Sequence, residues 1–387
     1  MKFAARMSRL GQETAFEVLA RAKALEAQGR DIIHLEIGEP DFDTPKHIVK
    51  AAKKAIDDGY THYSPTAGLM EAREAVAEYI SYSREVETDP AEVVITSGAK
   101  PIIWYSIIAL CEQGMEIIYP NPGYPIYESV INFVHATPVP LQLMEEHDFR
   151  FDIEDLKSKI SKRTTMLIIN SPHNPTGGIL TADDLQAIAE LALKHDFWVM
   201  ADEIYEKIIY DDYKFKSIYS IDGMKERTII LNGYSKTYAM TGWRLGYGIF
   251  PEALAEQITK LNNNTDSCTC SFTQIAGIAA TTGPHDEIAA MVAEFKNRRD
   301  IIVDGLNDIK GFRCKKPLGA FYVFPNIEDT GWNSVELGEA LLQEAGVACL
   351  AGDRFGKYGK GFLRFSYVNS VENIKEALKR IKSFVEG

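Results

Sequence analysis

The chain is short of positive charge and of cysteine, and each shortage closes off a class of function. Its 42 lysines and arginines face 55 aspartates and glutamates, for a net charge of −13, and no Lys/Arg-rich run interrupts that balance. Such a chain repels both a nucleic-acid backbone and an anionic membrane, so neither partner is expected. The five cysteines, Cys111, Cys268, Cys270, Cys314 and Cys349, are odd in number and thinly spread, and a chain of this size needs no disulfide staples. A reducing, cytoplasmic setting is the expectation. Cys268 and Cys270 stand close together, yet no second Cys or His pair lies near them at zinc spacing, so no metal site is expected. There is no apolar run long enough for a membrane span or a signal peptide, and Glu13, Glu17 and Glu26 argue against a transit peptide.

What remains is the composition of a folded, soluble protein, 45% hydrophobic and 25% charged, with no internal repeat and no low-complexity linker. A chain of 387 residues exceeds the size at which single cores stop growing, which predicts a large domain and a smaller one. From about Val93 to Phe250, short β-branched runs ("EVVIT", "MEIIYP", "TTMLIIN", "FWVMAD", "RTIILN", "LGYGIF") alternate with helical patterns. That alternation predicts an α/β domain with a central, mostly parallel sheet flanked by helices. Thr181 is expected to cap the helix that follows it. After about Pro284 the pattern changes to a long charged helix, the strand-like "GAFYVFP" and "GFLRFSY", and a terminal helix from Val371. The expected division is an N-terminal segment (1–44) joining a small α+β domain (285–387), with the large domain at 45–284.

The predicted strands end in loops carrying Gly, Asn, Asp or Ser, and ligands of open α/β sheets bind outside the strands' carboxyl ends. One of those loops, "NGYSKTYAMTGWRLGYG", sets Lys236 among Tyr234, Tyr238, Met240 and Trp243, with Arg244 close by. Desolvation lowers an amine's pKa and makes it a nucleophile toward an aldehyde. A Schiff-base lysine beside a phosphate-binding cation points to pyridoxal 5′-phosphate. That cofactor needs a carboxylate under its ring nitrogen, for which Asp202 at the end of "FWVMAD" is placed; the alternative is that it merely caps a following helix. Its phosphate suits backbone N–H groups at a helix start, offered by Gly98, Ala99 and Lys100 in "SGAK". Asn174 and Tyr205 are candidate donors to its phenolic oxygen.

Several motifs, in order along the chain, carry a resemblance: "LEIGEPDFDTP", "HYSPTAG", "PNPGYP", "NSPHNPTGG", "DEIY", "SKTYAMTGWRLGY", "GAFYVFP" and "LRFSY". Together they resemble the class I, fold type I, pyridoxal-phosphate-dependent aminotransferases of the aspartate and aromatic type. The resemblance implies that Lys236 carries the cofactor covalently and shuttles the substrate proton. Asp202 would pair with the ring nitrogen, Asn174 and Tyr205 would bond the phenolate, and Arg244 with the Gly98–Lys100 turn would hold the phosphate. Tyr124 would stack on the ring. Arg364 would take the substrate α-carboxylate bidentately, with Gly38 adding a backbone contact. Tyr63 would reach the neighbouring subunit's phosphate, which implies a homodimer with shared active sites. The peptides before Pro122 and Pro175 would be cis. The implied reaction moves the α-amino group of an aspartate-like or aromatic L-amino acid to a 2-oxo acid such as 2-oxoglutarate, in a ping-pong Schiff-base sequence.

One departure from the family pattern is Gly233 where many relatives have a serine, with Ser235 beside the lysine instead. No arginine or lysine declares itself as the reader of a distal carboxylate, so the preferred donor stays open. His34, His62, His173 and His195 are read as surface or packing residues. Two other functions fit parts of the pattern: a carbon–sulfur β-lyase on the same scaffold, and a non-catalytic effector-binding module of a regulator. The second is disfavoured by the acidic charge and by the short stretch before "LEIGEP", which lacks room for a helix-turn-helix and linker.

Overall fold

A computed structural model describes residues 3–387. Its twelve strands begin with the short β1 (Ile33–His34). Next come β2 (Val93–Thr96), β3 (Glu116–Asn121), β4 (Thr137–Gln142), β5 (Thr164–Asn170), β6 (Trp198–Asp202), β7 (Thr228–Gly233) and β8 (Gly246–Ile249). These seven form one sheet in the order β2-β8-β7-β6-β5-β3-β4. All its pairings are parallel except those of β8, which runs antiparallel to both β2 and β7. The expected mostly parallel sheet is therefore present. β5 and β6 are buried nearly end to end, as continuous Val/Ile/Leu-rich runs between two helical layers should be.

β4 was not anticipated from sequence, because "TPVPLQ" carries two prolines. Only β3 pairs with it, and an edge strand tolerates residues that lack a donor. Thr181 caps the helix Ala182–His195 with a capping box closed by Asp184, as the pattern indicated.

The C-terminal third adds the long helix Asp286–Asn307, then β9 (Tyr322–Val323), β10 (Val347–Ala348), β11 (Leu350–Ala351), β12 (Leu363–Ser366) and the helix Val371–Glu386. "GAFYVFP" thus supplies only a two-residue strand. β9, β11 and β12 make a three-stranded antiparallel sheet. β1 pairs in parallel with β10, joining the N-terminal segment to the C-terminal third, and on that pairing we propose the divisions near residues 44 and 284. The largest core cluster runs through both regions, from Val94, Ile168 and Met200 to Phe321, Phe365 and Ile374. No helix among the described residues is long and apolar enough to cross a membrane.

Candidate active site

The carboxyl ends of the parallel strands open onto a cavity of about 500 Å³. Its walls hold Gly38, Ala99, Lys100, Tyr124, Asn174, Asp202, Tyr205, Lys236, Arg244 and Arg364. Gly98 lies at its edge, where an added Cβ would stand 2.3 Å from Arg244 Nη2. Of the residues expected to bind cofactor or substrate, Tyr63 lies apart: it is 93% exposed and does not line the cavity of its own chain. A larger cavity of about 710 Å³, around Lys207, Asp211, Tyr238, His285 and Lys296, contains no residue expected to bind cofactor or substrate.

Asp202 ends β6 and is buried. Burial is the main influence on its carboxyl, raising it to about 6, while hydrogen bonds from Tyr127 and the Ile204 amide oppose the rise. Those bonds are Tyr127 Oη to Asp202 Oδ2 at 2.5 Å and Ile204 N–H to Oδ1 at 3.3 Å. No helix follows Asp202, so the capping alternative does not apply. The segment is fixed further by Asn170, whose Nδ2 donates to the Asp202 carbonyl at 3.0 Å and whose Oδ1 accepts from the Asn174 amide at 2.9 Å.

Lys236 follows β7 by three residues. Its Nζ donates to the Gly38 carbonyl at 2.6 Å. Desolvation by the surrounding protein lowers its amine to about 8, against the attraction of Glu39 and Glu13. At neutral pH such a lysine releases its proton far more readily than an exposed one.

Arg364, on β12, is buried between aromatic faces, its Cζ 4.5 Å from the Tyr322 ring centroid and 5.0 Å from that of Phe355. Nη1 donates to Asn174 Oδ1 at 3.1 Å and Nη2 to the Glu36 carbonyl. Nε has no partner, a buried donor left for something the chain itself does not supply. Tyr205 Oη lies 2.9 Å from Tyr322 Oη. A Cβ on Gly38 would fall 1.8 Å from that same Tyr322 oxygen, so only glycine fits there.

At the "SGAK" turn, Gly98 has φ of +87° and the helix begins at Lys100 with no side-chain cap. Gly98 N–H donates to the Thr96 carbonyl at 2.8 Å and Ile102 N–H to the Ala99 carbonyl at 3.1 Å, which leaves the amides of Ala99 and Lys100 for an anion, and the exposed Arg244 guanidinium stands beside them. Gly233 has a positional reason: a Cβ there would press on Gly246 Cα at 3.1 Å and the Leu245 carbonyl at 3.2 Å, where β7 and β8 pair.

The donor set fits pyridoxal phosphate on this geometry: a lysine with a lowered pKa, a buried strand-end carboxylate, and an anion cradle that a Cβ would fill. The "aminotransferase class I and II" family model matches residues 30–381. The chain belongs to that family. It is similar to an aspartate aminotransferase of Pyrococcus abyssi, at 42% identity over 91% of each chain. It is also similar to aromatic-amino-acid aminotransferase 2 of Thermococcus litoralis, at 40% identity over 93% of each. The solved structure of Thermus thermophilus aspartate aminotransferase with maleate superposes with a TM-score of 0.94, at 33% identity over 99% of each chain. This aminotransferase therefore transfers amino groups between amino acids and 2-oxo acids, with pyridoxal phosphate as the cofactor its family implies.

Four neighbours of the predicted residues were not singled out in the sequence. Tyr322 sits inside "GAFYVFP" and Tyr127 lies two residues past "PNPGYP", so spacing from "GAF" and from Tyr124 was the available signal. Asn170 ends β5 and is the first residue of "NSPHNPTGG". Glu13 gave no signal, since it reaches the cavity from the start of the helix Thr14–Glu26. The peptides before Pro122 and Pro175 are cis, as is the Ser171–Pro172 peptide, which was not expected.

Proposed function

We propose that Lys236 holds pyridoxal phosphate covalently and that the cavity runs transamination with residue roles as follows. When bound, the cofactor supplies an electron sink that lets the Cα–H bond of an amino acid ionise. Asp202 keeps the ring nitrogen protonated, and Tyr127 helps keep that carboxylate ionised despite burial. Asn174 Nδ2 and Tyr205 Oη donate to the phenolate oxygen. Arg244 and the N–H groups of Ala99 and Lys100 bind the phosphate, with Gly98 shaping the turn that presents them. Tyr124 covers the ring face. Arg364 takes the substrate α-carboxylate in a bidentate clamp, and the aromatic faces above and below it hold the fork in one plane. Lys236 Nζ, once free of the cofactor, accepts the Cα proton and returns it on the other side of the reaction.

The observation that carries this reading is the position of Lys236, an amine lowered to about 8 in the same cavity as Asp202 and Arg364. A cytoplasmic homodimer in which Tyr63 completes the neighbour's phosphate site is part of the proposal, supported by the exposure of Tyr63. The test treats cofactor-loaded protein with borohydride and maps the modified peptide by mass. Fixation on Lys236 is expected, with conversion of added amino acids to their oxo acids. Fixation elsewhere, or none, would overturn the assignment.

A further inference from the structure

The structure shows one cation in the cavity that the proposed roles leave partly unused. Lys100 contributes its backbone N–H to the anion cradle, but its side chain turns into the cavity. Its Nζ donates to Glu13 Oε2 at 2.8 Å, and the same carboxylate oxygen accepts from Tyr124 Oη at 3.2 Å. The ammonium also lies 5.8 Å from the Tyr124 ring centroid. Glu13, Lys100 and Tyr124 all line the cavity, so the pair is part of the wall a substrate meets.

The charges can be followed through the proposed roles. Arg364 is taken by the α-carboxylate, Arg244 by the phosphate, Asp202 by the ring nitrogen and Lys236 by the cofactor. Glu13, Glu39 and Lys100 remain: two carboxylates against one ammonium. Glu39 accepts from the Thr241 hydroxyl, which leaves its charge in place. The ammonium that could meet a second, distal carboxylate is already occupied by Glu13.

We propose that Glu13 is a specificity-determining residue, which by holding Lys100 biases the cavity toward amino acids with neutral, aromatic side chains and against dicarboxylic ones. This rests on the transamination reading above. An acidic side chain must displace Glu13 or lie beside a neutralised pair with a second carboxylate nearby, and like charges a few ångströms apart repel. An aromatic side chain leaves the pair intact and can rest against Phe16, Ile37 and Tyr124, with 60% of Phe16 exposed. Because the side chains of Lys100 and Glu13 are 41% and 28% accessible, solvent screens the pair and the bias is modest.

The test is equilibrium titration of the cofactor-loaded protein with two probes, maleate as the dicarboxylate and 3-phenylpropionate as the aromatic monocarboxylate. Glu13→Gln and Glu13→Ala are each expected to lower the ratio of the maleate to the phenylpropionate Kd about tenfold, roughly 1.4 kcal/mol. Adding Lys100→Met to either is expected to return the ratio to within threefold of the unmodified protein. A ratio within twofold of the original in both single variants overturns the proposal, as does a tenfold shift that survives Lys100→Met. Failure of the transamination reading would look different: no amino acid would be converted to its oxo acid, whatever the titrations gave.

Discussion

The phenol of Tyr127 donates to Asp202 Oδ2 from the helix Ile126–Phe133, across to the end of β6. A buried carboxylate is thereby given a dedicated donor of its own, and the relationship sets what happens when either residue is changed. Tyr127→Phe removes the donor, leaving burial less opposed, so Asp202 should hold a proton to higher pH. The visible absorbance of the bound cofactor should then titrate at higher pH than in the unmodified protein, with loss of about tenfold or more in kcat at neutral pH. An unchanged absorbance–pH profile would show that Tyr127 only packs.

Asp202→Asn separates stability from function. The carboxyl is raised from 3.8 to about 6 in the fold, so the folded chain binds more protons than the unfolded chain across that interval, and stability falls as pH rises through it. At pH 8 the cofactor-free Asn variant should be more stable than the parent, by up to about 3 kcal/mol, while transamination is lost. Denaturant melts of the cofactor-free proteins at acidic and at mildly alkaline pH measure the difference, which should vanish at the acidic end.

Lys236 has the opposite sign. Its amine falls from 10.5 unfolded to about 8 folded, so the unfolded chain binds more protons between those values and stability rises with pH there. Lys236→Met should flatten that rise, worth up to about 3 kcal/mol, and should abolish both turnover and borohydride fixation. Melts from pH 7 to pH 10.5 check the first, and single-turnover assays the second.

Arg364→Lys keeps the charge but loses the planar fork that stacks between Tyr322 and Phe355. KM for amino donors should rise about 10- to 100-fold, with cofactor absorbance retained. A KM within a factor of two of the parent would move the α-carboxylate site elsewhere.

Gly98→Ala tests the phosphate cradle. A Cβ would lie 2.3 Å from Arg244 Nη2, at a φ of +87° that side chains disfavour. Arg244 must move, and the cofactor should dissociate about tenfold more readily, measured by absorbance on dilution.

Much of this site could be read from the order of short motifs. The strand "TTMLIIN" and its neighbours were visible because a buried parallel strand is an unbroken apolar run. Lys236, Asp202 and Asn174 stood out because each follows such a run. β4 was hidden by its prolines, which an edge position excuses. Tyr322 lies in the strand-like "GAFYVFP", whose local pattern carries no mark of chemistry, and its place under Arg364 and against Gly38 depends on β9 and β12 lying side by side. Glu13 was invisible for a different reason. It meets Lys100 and Tyr124 across sequence separations of 87 and 111, and no local pattern encodes such a meeting.

Asn174 gives its carbonyl oxygen to Arg364, and an amide is flat, so its amino group is held in the same plane and angled away from that bond. A shift of the guanidinium would therefore also tilt the nitrogen on the neighbouring edge of that plane. Under the proposed roles, the grip on a newcomer and the hydrogen bond offered to the ring would be two edges of a single rigid tile, and would move as one.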